Sequence, residues 1–548
     1  MTSGFSSRVA LSGLLLAGSL FVGSVAARAA TTGGGTLTVS LPGPLRGCGY
    51  YDHNTSPSLR ALLDLIRPSA FTPSVGDIPV GGNGPISAAS VTSLSPQTVQ
   101  YTISPGFEWS NGAPFTATDL LAWFNKVRTV SSTQADGYRD ISSFTVNPAQ
   151  TVATAVFTKP YADWSTLFRD IDFRGTPLGC TMASLVNRPS LGPYDLISVS
   201  PTSATLAVDP RWTGQQPAYT YVIVRTDMPV GLFPNHAAVG YLTSATPSYL
   251  LHISNRPYVS GHISPSDQIV NVGYSSRAPS VASLVVREFL SLALDRQSMI
   301  NQVFGPVTYT PALADSYIYA QSSAYHGEAS GYTPYTQSAL VPLETVPTSV
   351  NQDCVACAIP TLTNAGYTRR RGVWISPKGS PLVIRVAVGP SSVDRATAAV
   401  ALAQWRHAGV VVRVVAAASD QTVTADLARG VASVGVYTMP VGLVPGQVAR
   451  GWTGVNGGDD FDLGWRSAAI DALYTQAQAT YNPVDATQDY LQIDAIVATN
   501  WWARPLYTEP LVTLSSSDVG GVVPTSSIAA FVNEIPNWIS VTPSTSTP

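Results

Sequence analysis

Short apolar runs bounded by turn residues recur in the N-terminal half of the chain. Runs rich in β-branched and aromatic side chains are typical of strands. Four segments fit this pattern: LTVSLP (37–42), VQYTI (99–103), FTVNPAQTVATAVF (144–157) and YTYVIVRT (219–226). The third alternates apolar and polar positions on both sides of a central proline. We therefore predict two antiparallel strands joined by a turn there.

The C-terminal half alternates strand-like and helix-like patterns. Its apolar runs are LVIRVAVG (382–389), VVVRVVAA (410–417) and VASVGVYTM (431–439), with helical segments between them. The helix predicted over 394–409 ends at Gly409, a residue type that favours helix termination. This order predicts a parallel sheet with crossover helices. Ligands of such sheets lie beyond the carboxyl ends of the strands, so 436–451 is a candidate binding edge.

The stretch FEWSNGAPFTATDLLAWFNKV (107–127) has a dense local pattern. Asn111-Gly112 is a strong signal for a tight turn, because both residues tolerate positive φ. Thr116 and Asp119 have the spacing of a capping box at a helix start. The apolar residues that follow share one helical face: Leu120, Leu121, Phe124 and Val127. We predict a strand, a tight turn and a capped amphipathic helix, with Trp109 in a core.

Length and charge narrow the class of protein. The chain has 548 residues, which is enough for two or three domains. Its formal net charge is −3, with 11% charged residues and no long basic run. Phosphate binding needs clustered positive charge, so we expect no nucleic-acid partner.

The N-terminus has the pattern of an export signal. An apolar run from Val9 to Val25 is followed by Ala27-Arg28-Ala29. We predict a signal peptide over 1–29, cleaved near Ala29; an uncleaved membrane anchor is the alternative. No cysteine stands at that site, so we expect no lipoprotein. Localisation is expected to be periplasmic or extracellular and associated with the cell envelope.

Four cysteines suit an oxidising compartment. Among the three possible connectivities we favour Cys48–Cys180 and Cys354–Cys357, since the second pair is only three residues apart. The alternative for Cys354-Val-Ala-Cys357 is half a zinc site or a redox motif. No second CxxC or suitably spaced histidine pair accompanies it, so we predict structural disulfides, no metal and no cofactor.

Several motifs occur in the order found in one known family. They are WSNGAPFTATD (109–119), TKPY (158–161), VREFLSLALDRQSMI (286–300), NAGYT (364–368), IDAL (470–473) and RPLY (504–507). The set resembles the extracytoplasmic solute-binding proteins of family 5, the peptide- and nickel-binding group of ABC importers. GYRDI (137–141) and PYADWSTLF (160–168) are similar to an actinobacterial branch of that family. That branch includes a lipoprotein implicated in envelope mannolipid assembly.

The resemblance implies an α/β fold of the type II periplasmic-binding-protein kind, with two lobes, a hinge and an inserted extra domain. It implies a discontinuous domain I (30–52, 185–272 and 506–548), an inserted domain II (53–184) and a domain III (273–505). The lobes would close on a small molecule or peptide, and hinge strands near 270 and 505 would join them. The partner would be a membrane permease with its ATPase, and we expect a monomer.

The loop YTMPVGLVPGQ (437–447) departs from the family. Peptide-binding relatives commonly carry an aspartate there, which pairs with the ligand's amino group. Here no Asp or Glu lies between Asp426 and Asp459. An unpaired buried ammonium is costly. We therefore hypothesise that the ligand is neutral or anionic at this end, or that Asp459, Asp460 or Asp462 replaces the anchor.

The candidate ligand-binding residues lie in this loop, in the following segment GWTGVNGGDDFDLGW (451–465), and in RGCGYYDHNTSPS (46–58). They are Tyr50, Tyr51, Asn54, Tyr437, Met439, Arg450, Trp452, Asp459, Asp460 and Trp465. Residues 451–465 suit a pocket rim with aromatic platforms, or else a solvated loop with a packed tryptophan. Arg450 suits an anionic ligand group, or a surface pair with Asp459.

No GxSxG, HExxH or GxxxxGK[ST] motif is present, and nothing points to an assembled catalytic site, so we expect no enzyme. The function expected is the exported binding component of an ABC importer, acting in peptide or other polar-solute transport. The alternative is a non-transporting protein that scaffolds or regulates envelope glycolipid or glycan assembly.

Overall fold

The computed structural model describes most of the chain beyond the N-terminal segment. The described ranges are 35–49, 55–73, 79–81, 84–130, 136–177, 179–226, 237–243, 259–305, 311–314, 316–319, 353–416, 420–440, 444–455 and 463–541. The predicted signal peptide and the candidates Tyr50, Tyr51, Asn54, Asp459 and Asp460 lie outside them.

Within the described ranges, the strands belong to one large sheet, one four-stranded sheet and three small ribbons. In chain order they are β1 Gly35–Ser40, β2 Phe71–Pro73, β3 Pro79–Gly81, β4 Ile86–Leu94, β5 Gln97–Ile103, β6 Ile141–Val146, β7 Val152–Phe157, β8 Tyr194–Ser200, β9 Ser203–Val208, β10 Tyr219–Arg225, β11 Ala238–Leu242, β12 Val259–Tyr274, β13 Thr368–Arg370, β14 Val373–Ile375, β15 Val383–Val388, β16 Val411–Ala416, β17 Val434–Pro440, β18 Ala503–Ser516, β19 Val519–Gly520 and β20 Ile539–Ser540.

The α-helices range from one turn to four. They are α1 Pro57–Leu63, α2 Ala117–Val127, α3 Leu284–Leu292, α4 Arg296–Phe304, α5 Val355–Asn364, α6 Ser392–His407, α7 Asp420–Ala428, α8 Pro445–Ala449, α9 Ala468–Gln478, α10 Thr487–Thr499 and α11 Ile528–Asn533. Short 3₁₀ segments include Trp164–Thr166 and Arg450–Trp452. Across the described ranges, every helix is too short or too polar to span a bilayer.

The large sheet has the strand order β16-β15-β17-β12-β18-β11-β1-β10-β9-β8. β15 lies parallel to both β16 and β17, which confirms the predicted strand–helix–strand–helix–strand unit. The long strands β12 and β18 pair antiparallel through the middle of this sheet. Their register shifts between Pro265 and Ile269 and again between Val270 and Asn271.

Apolar side chains pack into three clusters. The first collects β1, β8–β11 and the C-terminal segment, from Leu37 to Trp538. The second surrounds the four-stranded sheet β4-β5-β7-β6, from Ala70 to Leu191. The third extends from Ile269 to Tyr507. Helix α1 packs in the first cluster, although the predicted domain limits assign it to the inserted domain. Those limits remain a prediction.

The stretch 107–127 folds as its pattern predicts. Gly112 has φ of 82°, and its N–H donates to the Trp109 carbonyl at 2.7 Å. The Asp119 carboxylate accepts from the Thr116 N–H at 2.9 Å, which caps α2. Trp109 is fully buried and meets Phe115 and Phe173 edge to face. This segment therefore builds the second core.

Two disulfides join the four cysteines. Cys48 and Cys180 have Cα atoms 5.9 Å apart and close a loop of 132 residues. Cys354 and Cys357 have Cα atoms 5.2 Å apart at the start of α5. The first bond links the segment after β1 to the residues that precede Met182–Asn187, so it ties distant parts of the chain together.

Candidate ligand-binding site

Two predicted ligand residues lie on one face of β17. Tyr437 and Met439 are two residues apart, so their side chains point the same way. The register sets Tyr437 opposite Asn271 and Met439 opposite Ile269 of β12. Both predicted residues are buried. The Tyr437 ring lies over Gly273, where an added Cβ would come within 3.2 Å of the ring and hydroxyl.

The same face carries polar groups that have no protein partner. Asn271 is fully buried, and neither its amide nitrogen nor its amide oxygen has a hydrogen-bond partner among the residues that the structure describes. Thr508 is paired in register with Ile269, and its buried hydroxyl also has no partner. Sequence analysis missed both residues. The sequence signal for them is a polar residue within a strand, but many strands contain such residues without a functional role.

Arg450 follows α8 and reaches the region of the second cluster, which corresponds to the predicted inserted domain. Its guanidinium lies 2.8 Å from the carboxylate of Asp136, and both side chains are largely buried. Asp136 is also paired with Arg139 at 2.6 Å. Burial raises the pKa of Asp136, and Arg450 opposes that rise. The predicted surface pair of Arg450 with Asp459 involves a residue outside the described ranges, so that role stays a prediction.

A carboxylate does lie against the loop after β17, but it comes from another part of the chain. Asp163, in PYADWSTLF, is almost fully buried beside Gly446 of α8. A Cβ on Gly446 would collide with the Asp163 carboxylate and the Gln478 amide. The glycine at this position therefore lets the inserted domain approach α8 closely.

Three hydrogen bonds lie at the contact of Ala162 and Asp163 with α9 and α10. The Gln478 amide donates to the Asp163 carboxylate at 3.1 Å and to the Tyr490 hydroxyl at 3.0 Å. The Ala162 N–H donates to the Gln478 carbonyl at 3.0 Å. Burial raises the pKa of Asp163 to about 6, while the Gln478 hydrogen bond and the Arg450 charge oppose the rise. The inserted domain thus contacts α9 and α10 of the third cluster through polar groups.

The two predicted tryptophans lie in packed surroundings. Trp452 is buried and meets Tyr317 edge to face, with ring centroids 5.5 Å apart. Trp465 stacks on Trp502 at 5.7 Å, and its indole N–H donates to the Tyr274 carbonyl at 2.7 Å. The Arg287 guanidinium covers the Trp465 ring at 4.3 Å. These contacts correspond to the packed-tryptophan alternative for Trp465. The rim itself remains a prediction.

The loop with Tyr50, Tyr51 and Asn54 is described only at its ends. There the N–H groups of Cys48 and Gly49 donate to the Thr55 hydroxyl oxygen at 3.1 and 3.3 Å. The hydroxyl in turn donates to the Gly49 carbonyl at 2.7 Å. The ends of the loop are therefore fastened to each other.

An arginine–aspartate network fixes the other side of the inserted domain, next to the first cluster. Arg67 lies 3.2 Å from Asp170 and 3.0 Å from Asp172, and Arg188 lies 2.6 Å from Asp172. A further pair joins Arg169 to Asp64 at 2.5 Å. These side chains are all nearly inaccessible to solvent. Burial raises the pKa of Asp170 to about 7, and the Arg67 charge opposes that rise.

Comparison with known proteins agrees with this architecture. Residues 85–445 match the profile of the bacterial extracellular solute-binding proteins, family 5 (Middle). The oligopeptide-binding protein OppA of Mycobacterium tuberculosis is 25% identical over 209 residues, a stretch covering 35% of each chain. The probable monoacyl phosphatidylinositol tetramannoside-binding protein LpqW of the same species is 32% identical over 135 residues, covering 23% of this chain and 21% of that protein.

The structural likeness extends much further than these sequence matches. The matched stretches span about a third of OppA and about a fifth of LpqW. The periplasmic EDTA-binding protein EppA superposes with a TM-score of 0.77 and 18% identity, covering 93% of this chain and 97% of that one. At this identity the likeness shows the fold alone. It confirms the predicted two-lobed α/β architecture.

Proposed function

The chain belongs to the bacterial extracellular solute-binding proteins of family 5, and from this premise we propose that it captures a small polar solute by closing its two lobes. The solute would then be delivered to a membrane permease driven by an ATPase. The supporting observation is the contact of Asp163 and Asp136 with Gln478 and Arg450. It joins the inserted domain to the third cluster through a few polar groups, which a hinge motion can separate.

The proposed ligand is a peptide-like or other small solute without a free ammonium at the β17 end. Along 427–458 no carboxylate is present to pair with one. The carboxylate that does reach this loop, Asp163, accepts from Gln478, and Arg450 is paired with Asp136. The similarity to OppA supports a peptide-like ligand. The protein would act as a monomeric, exported, non-lipidated binder without catalytic activity.

A second candidate function is a role in envelope glycolipid or glycan assembly without transport. The observation that favours it is the identity of 32% to LpqW over 135 residues. The resemblance of PYADWSTLF to the same branch points in that direction, because Asp163 lies within that segment.

Native mass spectrometry of protein purified without denaturation tests the proposal. If the protein captures a solute, we expect a molecule retained through purification, or binding of a mixed tripeptide pool in calorimetry. A knockout of the neighbouring permease that abolishes uptake of that molecule supports import. A knockout of this protein that changes envelope glycolipids and leaves uptake intact supports the second candidate. Absence of bound molecule and of pool binding would overturn solute capture.

A further inference from the structure

We infer that Asn271 is a ligand contact whose side-chain amide hydrogen-bonds an uncharged amide or hydroxyl group of the solute. This inference rests on the proposed function and narrows its substrate class. Asn271 lies on β12, opposite Tyr437 of β17 and Pro505 of β18. It therefore adjoins the strand from which two ligand residues were predicted by sequence.

The energetic argument starts from the unpaired state of this amide. An asparagine side chain has two donor hydrogens and an acceptor oxygen. Asn271 is fully buried, yet neither polar atom of its amide has a partner within the described ranges. Leaving a buried donor or acceptor unsatisfied costs about 1–3 kcal/mol. Leucine would fill a similar volume without that cost, so packing alone gives no reason for asparagine at this position.

On the opposite face of the same strands, several hydroxyl groups do have hydrogen-bond partners. There the Thr438 hydroxyl bonds Asp394 at 2.8 Å. The Tyr507 hydroxyl bonds Thr397 at 2.5 Å, and the Tyr274 hydroxyl bonds Ser291 at 2.8 Å. These three hydroxyls on that face are all paired within the protein. On the face of Asn271, the Thr508 hydroxyl is a second buried group without a partner.

The chemistry of these groups specifies the ligand group. An amide and a hydroxyl are neutral, and each can donate and accept. In the adjoining segments Arg450 is paired with Asp136, and one carboxylate oxygen of Asp163 accepts from Gln478. A peptide amide, an acetylated amine or a sugar hydroxyl satisfies Asn271 without adding an unpaired buried charge. An ammonium would find no carboxylate within 427–458.

The test measures binding to two neutral probes, an N-acetylated tetrapeptide-amide library and a set of mannose oligosaccharides. A free-amine version of the tetrapeptide library completes the design. The proteins are wild type, Asn271→Leu and the control Thr397→Val, which removes a paired hydroxyl from the opposite face. We expect wild type to bind one neutral probe and Asn271→Leu to bind it at least tenfold more weakly. Thr397→Val should retain the wild-type affinity.

Thermal melting separates a binding role from a folding role. Asn271→Leu should melt at or above the wild-type temperature, because it removes an unsatisfied amide. If Asn271→Leu does not fold, Asn271→Asp keeps the shape, replaces the amide N–H₂ group with a carboxyl oxygen and should also bind at least tenfold more weakly. Wild-type affinity in the folded variant, with or without a higher melting temperature, would assign Asn271 to structure or to a buried water and overturn the inference.

The remaining outcomes separate this inference from the proposed function. Preference of wild type for the free-amine library would overturn the neutral-ligand assignment and leave solute capture standing. If wild type binds none of the probes and carries no molecule through native purification, solute capture fails and the inference fails with it. The two neutral probes distinguish a peptide source of the amide from a glycan source of the hydroxyl.

Discussion

The inserted domain has two junctions of opposite character. Toward the first cluster it is held by Arg67, Arg169 and Arg188 against three buried aspartates, with the Cys48–Cys180 disulfide nearby. Toward the third cluster it makes one described ion pair and a small hydrogen-bonded group around Asp163. Separating the first junction would break several buried arginine–aspartate pairs and expose their charges to solvent. Separating the second hydrates a few polar groups, so we expect lobe motion at the second junction only.

The largest effect is expected from a substitution at the junction with the first cluster. Arg67→Met leaves Asp170 and Asp172 without their shared partner, although Arg188 still pairs with Asp172. Breaking a buried pair from one side costs about 3–5 kcal/mol. We expect a loss of that size in the free energy of unfolding, measured by urea denaturation. The control Lys159→Met breaks a solvent-accessible pair with Asp140 and should cost less than about 1 kcal/mol. Equal losses would contradict the assigned role of Arg67.

The second prediction removes the covalent tie at the same junction. Cys48→Ser with Cys180→Ser opens a loop of 132 residues. Loss of a disulfide typically destabilises by about 2–5 kcal/mol. Thermal unfolding should show the loss, while ligand affinity at a temperature where the variant is folded should stay near wild type. A matching loss of affinity in the folded variant would show that this junction also takes part in closure.

The third prediction concerns the pH dependence of closure at the junction with the third cluster. Asp163 has a pKa of about 6 when buried against Gln478, above its ordinary value of 3.8. Between about pH 4 and pH 6, the Asp163 carboxyl is therefore protonated in the closed state. In an open state, where it is hydrated, the same carboxyl is ionised. Closure should be most favoured at the low end of this window and weaken as pH rises through it, by up to about 1.4 kcal/mol per pH unit.

Fluorescence energy transfer between labels on the two lobes measures this dependence. Asp163→Asn should reduce the pH response of the closed fraction, because the amide does not titrate; the remaining response comes from Asp136, whose pKa burial also raises. Asp170, with a pKa of about 7, should instead lower global stability as pH rises from about 4 to 7, without changing closure. An unaltered pH response of closure in Asp163→Asn would contradict this division of roles.

The smallest expected effect is steric. Gly446→Ala places a Cβ against the Asp163 carboxylate and the Gln478 amide, so the lobes should close less fully. We expect ligand affinity to fall about tenfold, equivalent to about 1.4 kcal/mol, with little change in melting temperature. The control Gly454→Ala has its nearest neighbour, Arg466, at 3.4 Å and should behave as wild type. A fall in melting temperature without loss of affinity would place Gly446 in the core instead.

Local patterns predicted those parts of the fold that local physics determines. The β15–β17 unit followed from apolar periodicity, and the turn at Gly112 and the cap at Asp119 followed from residue type. β12 was expected only from family resemblance, because its 16 residues include proline, glycine and aspartate that disrupt a strand pattern.

The described part of the site depended on distant pairings that local patterns do not encode. Asp163 meets Gln478 across 315 residues of sequence. The cap, the turn and the periodicity each involve residues a few positions apart, whereas this contact depends on how the inserted domain is set against α9. For the same reason Arg450 was considered with the nearby Asp459, while its described partner is Asp136.

The shared strands also set the scale of any movement. β12 has 16 residues and so extends roughly 50 Å at about 3.3 Å per residue. Its register shifts near Ile269 divide it into two arms, both paired with β18, and the C-terminal arm is also paired with β17. With arms of roughly 25 Å, every 10° of rotation about that pivot sweeps an arm's end through roughly 4 Å. A rotation of a few tens of degrees therefore opens a gap as wide as an extended peptide, without breaking either strand.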